Sequence, residues 1–237
     1  LEQTNLQFYK LKKLSLSDYD SHLSCYLYTG GCNLKCPYCH SRDLVYLKEN
    51  RYPIVTEKIN EYLESHRKDL DGIYISGGEP LMHEGVVSFL QYAKTLNYKI
   101  KIHTNGMFYE RLKTILLQQL VDHVSLDIKN APSAYAKTCG VEDMNLKDIE
   151  KSLSLLKKSL VPYDICVTLV DELHNEATIQ ELGQWIQGVD TVILQPFEDS
   201  ETTIDHSLHR PSFEMVLKYK KILEKYVKHV KIRGNQA

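Results

Sequence analysis

Three cysteines fall within eight residues, in the run Gly30-Gly31-Cys32-Asn33-Leu34-Lys35-Cys36-Pro37-Tyr38-Cys39-His40. Thiolates spaced C-x3-C-x2-C on one loop can wrap a compact metal centre, an arrangement better suited to gripping metal than to stapling distant chain. A [4Fe-4S] cluster held by Cys32, Cys36 and Cys39 keeps one iron open to the amino and carboxylate groups of a small amino-acid-like ligand. A tetrahedral zinc site requires a fourth Cys or His, and His40 offers one, although ligands adjacent in sequence make poor tetrahedra. His40 can instead face a substrate or cap the loop. Tyr38 either flanks a bound nucleoside or packs into the core. Cys25, Cys139 and Cys166 are scattered singly, without the C-x2-C pairing of a further cluster, and are read as structural.

Chemistry-bearing residues recur downstream in Gly77-Gly78-Glu79-Pro80, in His103-Thr104-Asn105-Gly106, and at Asp127 and Lys129. The elements that must position them are short β-branched runs alternating with stretches of helical period, the signature of βα units and a parallel sheet. About six repeats can be traced. Predicted strands are Ser24 to Thr29, Gly72 to Ser76, Lys99 to Thr104, His123 to Ile128, Asp164 to Val170 and Thr191 to Gln195, with a last one from His229 to Arg233. Predicted helices lie at 54–67, 84–96, 109–119, 146–159, 177–187 and 211–227. In such folds functional loops leave the C-terminal ends of the strands, which is where the cysteine loop, the Gly-Gly-Glu loop, Thr-Asn-Gly and the Asp127/Lys129 pair stand. All four strand ends are expected to face one site.

The chain of 237 residues is expected to form a single domain, with a core over about 22–200 and a C-terminal helix and strand over about 211–234. A net charge of -2 with 25% charged residues gives no electrostatic case for a nucleic-acid or membrane-surface partner. No apolar run approaches the length of a membrane span, and LEQTNLQFYKLKKLSLSDYD is too polar for a signal peptide, so a reducing cytoplasmic location is expected.

The cysteine spacing followed by Gly-Gly-Glu-Pro resembles the radical S-adenosylmethionine (SAM) enzymes. Within that superfamily, Gly31 to His40, Ile75 to Leu81, Thr104 to Gly106 and Ser125 to Lys129 resemble the activating enzymes of glycyl-radical enzymes, in particular those of anaerobic ribonucleotide reductase, with pyruvate formate-lyase activators as near relatives. The likeness runs from about Ser24 to Arg233-Gly234, resting past Lys129 on pattern more than on motifs.

The resemblance implies an α/β fold, a partial (β/α)6 TIM-like barrel, with a [4Fe-4S] cluster on Cys32, Cys36 and Cys39 and S-adenosylmethionine beside it. It implies reductive cleavage to a 5′-deoxyadenosyl radical, hydrogen abstraction from a glycine of a partner glycyl-radical enzyme, and a flavodoxin- or ferredoxin-type electron donor. Gly77 and Gly78 would admit the methionine amino group and Glu79 would accept a hydrogen bond from it, against an ordinary strand-to-helix turn. Thr104, Asn105 and Gly106 would wall the nucleoside, against a simple Asn-Gly turn. Asp127 and Lys129 share a strand face, with Lys129 the partner of the methionine carboxylate, against a buried structural ion pair.

His103 stands where these activators usually carry an acidic residue, so monovalent-cation binding is not carried over. Leu194-Gln195-Pro196-Phe197 lines either the adenine or the partner channel, against a core position for Phe197. Two other functions compete: a small-molecule radical enzyme of the 7-carboxy-7-deazaguanine synthase kind, which typically has an acidic residue where His40 stands, and a non-catalytic iron-sulfur or zinc protein.

Overall fold

The computed structural model describes residues 6–17 and 19–234. Eight strands are formed: β1 (Phe8–Ser15), β2 (Ser24–Thr29), β3 (Gly72–Gly77), β4 (Lys99–Thr104), β5 (His123–Asp127), β6 (Tyr163–Leu169), β7 (Thr191–Pro196) and β8 (His229–Ile232). The α-helices are α1 (Arg42–Val45), α2 (Thr56–His66), α3 (Val86–Thr95), α4 (Tyr109–Leu117), α5 (Tyr135–Thr138), α6 (Lys147–Lys158), α7 (Glu176–Trp185) and α8 (Phe213–Leu223). Strands β2 and β4 have the predicted bounds, and β3 and β5 to β8 start and stop within a residue of theirs. Five of the six predicted helices contain an observed one shortened by a few residues at its ends, and α7 starts one residue before its predicted range and stops two residues short of it.

Three elements were not foreseen. Strand β1 was missed because FYKLKKLS carries three lysines and leaves Leu14 57% exposed, so no apolar face announces it. It is held by backbone pairing, antiparallel to β2 with Phe8 opposite Thr29 and Ser15 opposite Ser24. Helices α1 and α5 have four residues each, too few to show a period.

The described residues divide into two compact units. The first holds residues up to Asn33, Asp43–Ser125 and Ser159–Pro162; the second holds Leu34–Arg42, Leu126–Lys158 and the chain from Tyr163 onward. In the first unit β2, β3 and β4 run parallel, with Cys25 beside Ile73, Leu27 beside Ile75, and those isoleucines beside Ile100 and Ile102. All six side chains are fully buried. Because side chains alternate across a strand, the opposite face presents Tyr26, Tyr28, Tyr74, Lys101 and His103. There Tyr26 and Tyr28 stack at 3.7 Å, and the Tyr74 hydroxyl lies 2.6 Å from His103 Nδ1. One sheet face is thus hydrocarbon and the other aromatic and basic. Burial of each aliphatic side chain contributes about 1.5–3 kcal/mol to the first face.

In the second unit β6, β7 and β8 run parallel, with Ile165 beside Val192, Val167 beside Leu194, and Val192 beside Val230. Helix α7 opens with a capping box: the Asn175 side chain accepts from Thr178 N at 3.0 Å while the Thr178 hydroxyl accepts from Asn175 N at 3.0 Å. Helix α8 is capped by Ser212, whose hydroxyl accepts from Met215 N. No helix among the described residues is long and apolar enough to cross a membrane.

Candidate active site

In the first unit, the strand ends knit to the start of the cysteine loop. Cys32 is half-buried. Ahead of it, His83 Nε2 donates to the Gly30 carbonyl at 2.8 Å and Gly31 N donates to Leu44 O at 2.7 Å. Burial pulls the His83 pKa down, which keeps the ring neutral. Arg111 braces the neighbouring turn by donating Nη1 to Leu81 O and Met82 O at 2.7 and 3.0 Å.

Gly77 and Gly78 have a structural cause. A Cβ on Gly78 would stand 1.7 Å from Gly31 O, and Gly77 combines a φ of +121° with a would-be Cβ 2.4 Å from Thr29 O. The turn after β3 therefore lies directly against the loop that carries Cys32, and Glu79 N donates to Gly31 O at 2.8 Å.

Glu79 is 2% exposed. Its Oε1 accepts from Leu81 N at 2.9 Å and from the Thr104 hydroxyl at 2.7 Å, and its Oε2 accepts from Asn105 N at 2.7 Å. The carboxylate thereby binds the end of β3 to the end of β4. Asn105 extends the link: its Nδ2 donates to Asn33 Oδ1 at 2.8 Å, and its Oδ1 closes an Asx turn by accepting from Met107 N at 3.0 Å. Thr104 and Asn105 are buried, at 1% and 4% exposure.

In the second unit, the rest of the loop is strapped down by its backbone. Ile204 N donates to Cys39 O at 3.0 Å, Asp205 N to Pro37 O at 2.9 Å, and Arg42 N to Thr202 O at 3.1 Å, while the Thr202 hydroxyl donates to His40 O at 2.5 Å. Lys35 N donates to Cys139 O at 3.3 Å. Cys36 and Tyr38 are buried, Cys39 is half-buried and His40 is exposed.

Asp127 and Lys129 form an ion pair at 2.7 Å, with side chains 21% and 14% exposed. Burial by itself would lower the Lys129 pKa, but the Asp127 charge overrides it, helped by Tyr38 and Cys36, and holds the group well above its ordinary value. The Cys36 thiol is brought down to about 7, first by a hydrogen bond with the Cys139 thiol, against burial, and then by the Lys129 charge. Cys39 is pushed up by burial, partly offset by Ser41 N donating to its sulfur at 3.4 Å.

His174 fixes the segment just past β5 that carries Lys129. Val170 N donates to its Nδ1 at 3.1 Å, so its Nε2–H donates to Lys129 O at 3.1 Å. It is 3% exposed and burial lowers its pKa. A histidine with a depressed folded pKa contributes stability that is present above the unfolded value near 6.5 and is lost as pH falls below it. His174→Gln should therefore lose less stability than the wild type between pH 7.5 and 5.5 in urea melts; equal losses would remove the histidine from this account.

Cys25 is fully buried, its thiol pushed up to about 12 by burial, and the Cys166 thiol donates to Asp164 Oδ1 at 3.3 Å. All six cysteines are free thiols. Phe197 is 3% exposed, with its N–H donating to Leu169 O at 2.8 Å. Sequence reasoning did not find His83, Arg111, His174 or the adjacency of Cys139 to Cys36, because none lies at a spacing that signals a site. The donor chemistry fits an iron-sulfur centre: three free thiols close in sequence, with the Lys129 charge favouring the thiolate form of Cys36.

A parallel α/β fold with a three-thiol loop after its first parallel strand, a Gly-Gly-Glu turn at the end of the next and an Asp/Lys pair at the end of β5 defines a class of cluster-dependent SAM enzymes. Residues 26–186 match the Radical SAM superfamily, and the chain belongs to it. Members of that superfamily use a [4Fe-4S] cluster and S-adenosylmethionine.

A Methanocaldococcus jannaschii protein, MJ1227, provisionally named a glycyl-radical enzyme activating enzyme, is 30% identical over 93% of this chain and 92% of its own. The pyruvate formate-lyase-activating enzyme of Clostridium pasteurianum is 27% identical over 84% of this chain and 88% of its own. A 7-carboxy-7-deazaguanine synthase of Clostridium acetobutylicum is 30% identical over 58% of this chain and 64% of its own. Among solved structures, Streptococcus suis SuiB bound to S-adenosylmethionine superposes with a TM-score of 0.67 at 14% identity, over 86% of this chain and 48% of SuiB. That likeness concerns the fold, an α/β fold with a parallel sheet of the partial TIM-barrel kind.

Proposed function

We propose that this protein activates a glycyl-radical enzyme, anaerobic ribonucleotide reductase being the partner that the sequence motifs favour. The observation that carries the reading is likeness to MJ1227 over nearly the whole of both chains. Matches to the deazaguanine synthase are shorter on both sides, and the exposed His40 stands where those enzymes typically carry an acid.

Cys32, Cys36 and Cys39 hold the cluster. Bound there and reduced, the cluster would supply the electron for reductive cleavage of S-adenosylmethionine, the source of the hydrogen-abstracting species that would act on a glycine of the partner. Lys129, kept protonated by Asp127, binds the methionine carboxylate. Gly77 and Gly78 form the turn at the methionine amino group. Glu79, Thr104 and Asn105 hold that turn and the nucleoside wall in place, the Glu79 carboxylate acting largely through its internal bonds. Tyr38, being buried, packs beneath the loop. A flavodoxin- or ferredoxin-type donor supplies the electron, and the free thiols suit a cytoplasmic, reducing compartment.

The experiment is electron paramagnetic resonance on reconstituted, reduced protein mixed anaerobically with S-adenosylmethionine and the host's anaerobic ribonucleotide reductase, with 5′-deoxyadenosine assayed in the same tube. A glycyl-radical doublet is the expected result. Deoxyadenosine without the doublet would redirect the search to another substrate, and neither product would sink the catalytic reading.

A further inference from the structure

Lys129 stands beyond the last residue of β5, where the sheet no longer fixes the chain. The strand ends at Asp127, Ile128 N still donates to Cys166 O at 3.0 Å, and the chain then leaves the ladder toward α5. The reach of the Lys129 ammonium therefore depends on what holds residues 129–131. One hold is the His174 ring on the Lys129 carbonyl. The other is Asn130, which is fully buried in the same unit. Its Nδ2 donates to Leu173 O at 2.7 Å and to Thr138 Oγ1 at 2.9 Å, and its Oδ1 accepts from Ala131 N at 2.8 Å. The Thr138 hydroxyl gives its own proton to Ala134 O at 2.8 Å, so toward Asn130 it can only accept, which fixes the way the amide points.

A buried amide is costly unless its polar atoms are matched. This one spends its donors on α5, through Thr138, and on the turn after β6, through Leu173, one residue before His174. We infer that Asn130 is a positioning residue: by pinning the backbone beside Lys129 to these two segments, it holds the ammonium where it meets the methionine carboxylate of S-adenosylmethionine. A long side chain carries any shift of its Cα to its tip, and a misplacement of about 1 Å is enough to weaken a charge-assisted contact. The inference rests on the proposed role of Lys129 as the partner of that carboxylate.

Asn130→Ala removes all three bonds, Thr138→Val removes the acceptor on α5 at similar shape, and Thr138→Ser retains it. Each reconstituted protein is read by iron content, by thermal melting and by calorimetric Kd for S-adenosylmethionine. The same changes are also placed in an Asp127→Asn/Lys129→Met background, where the ammonium is absent. The expected result is full iron loading throughout, with a Kd roughly tenfold weaker in Asn130→Ala. Thr138→Val should weaken binding less, Thr138→Ser should stay near the wild type, and none should weaken it further in the background lacking Lys129. If the alanine protein folds poorly, the two Thr138 variants carry the test. An unchanged Kd in the folded variants that lack the bond overturns the inference. So does equal weakening with and without Lys129, which would mean a general loss of structure. Failure of the underlying reading looks different: the Asp127→Asn/Lys129→Met protein itself would then bind S-adenosylmethionine as tightly as the wild type.

Discussion

Cys36→Ala is expected to give a folded protein with no stable [4Fe-4S] cluster and deoxyadenosine formation at the level of a protein-free control. With three protein ligands in the loop, the loss of one leaves two thiolates, too few to retain the centre against chelation. The cost to the cluster-free fold should be small, about 1 kcal/mol, because one small buried side chain is shortened while the backbone straps from Ile204, Asp205 and Cys139 are untouched. Iron content, the visible absorption band and a thermal melt of the metal-free protein separate the two effects. A variant that keeps four irons and normal turnover would overturn the assignment of the loop. Cys32→Ala and Cys39→Ala should behave alike, whereas Cys25→Ala should leave iron content unchanged.

The second large effect concerns Lys129. Lys129→Met leaves Asp127 as an uncompensated, mostly buried charge, which should cost about 3 kcal/mol, at the low end for such pairs because 21% of the Asp127 side chain still meets solvent. Affinity for S-adenosylmethionine should fall as well, since a hydrogen bond to a charged group is worth about 1.5–3 kcal/mol, roughly ten- to a hundredfold in Kd. Adding Asp127→Asn distinguishes the roles. In the double variant stability should largely return, because neither charge remains unpaired, while affinity should stay low, because the carboxylate partner is gone. Urea melts and calorimetric titration with S-adenosylmethionine give the two readouts. Recovery of both would make the pair a structural ion pair only.

Much of this protein can be read along its chain. The short runs at 24–29, 72–77 and 99–104 announce parallel strands because both faces of the first two are largely buried, and the apolar set on one face, Cys25, Leu27, Ile73, Ile75, Ile100 and Ile102, is unbroken. The cysteine spacing carries its own chemistry, since ligands for one centre lie on one short loop. Strand β1 escapes such reading because its stability comes from pairing with β2 rather than from its own side chains. The two compact units escape it too: the chain passes between them several times, once inside β5 after Ser125, with no linker composition to mark that place.

What the sequence determined by itself was the set of reactive groups contributed by single local segments: the three loop thiols, Gly77-Gly78-Glu79, and Asp127 at the end of β5 with Lys129 two residues on. What only the tertiary structure decided was how those groups are held. Glu79 spends its carboxylate on Thr104 and Asn105, His174 turns toward the Lys129 carbonyl 45 residues away, and Cys139, a hundred residues beyond the loop, offers its carbonyl to Lys35 N. The physical reason is that a hydrogen bond depends on distance in space, and only close packing of buried segments sets that distance when the partners lie far apart in the chain.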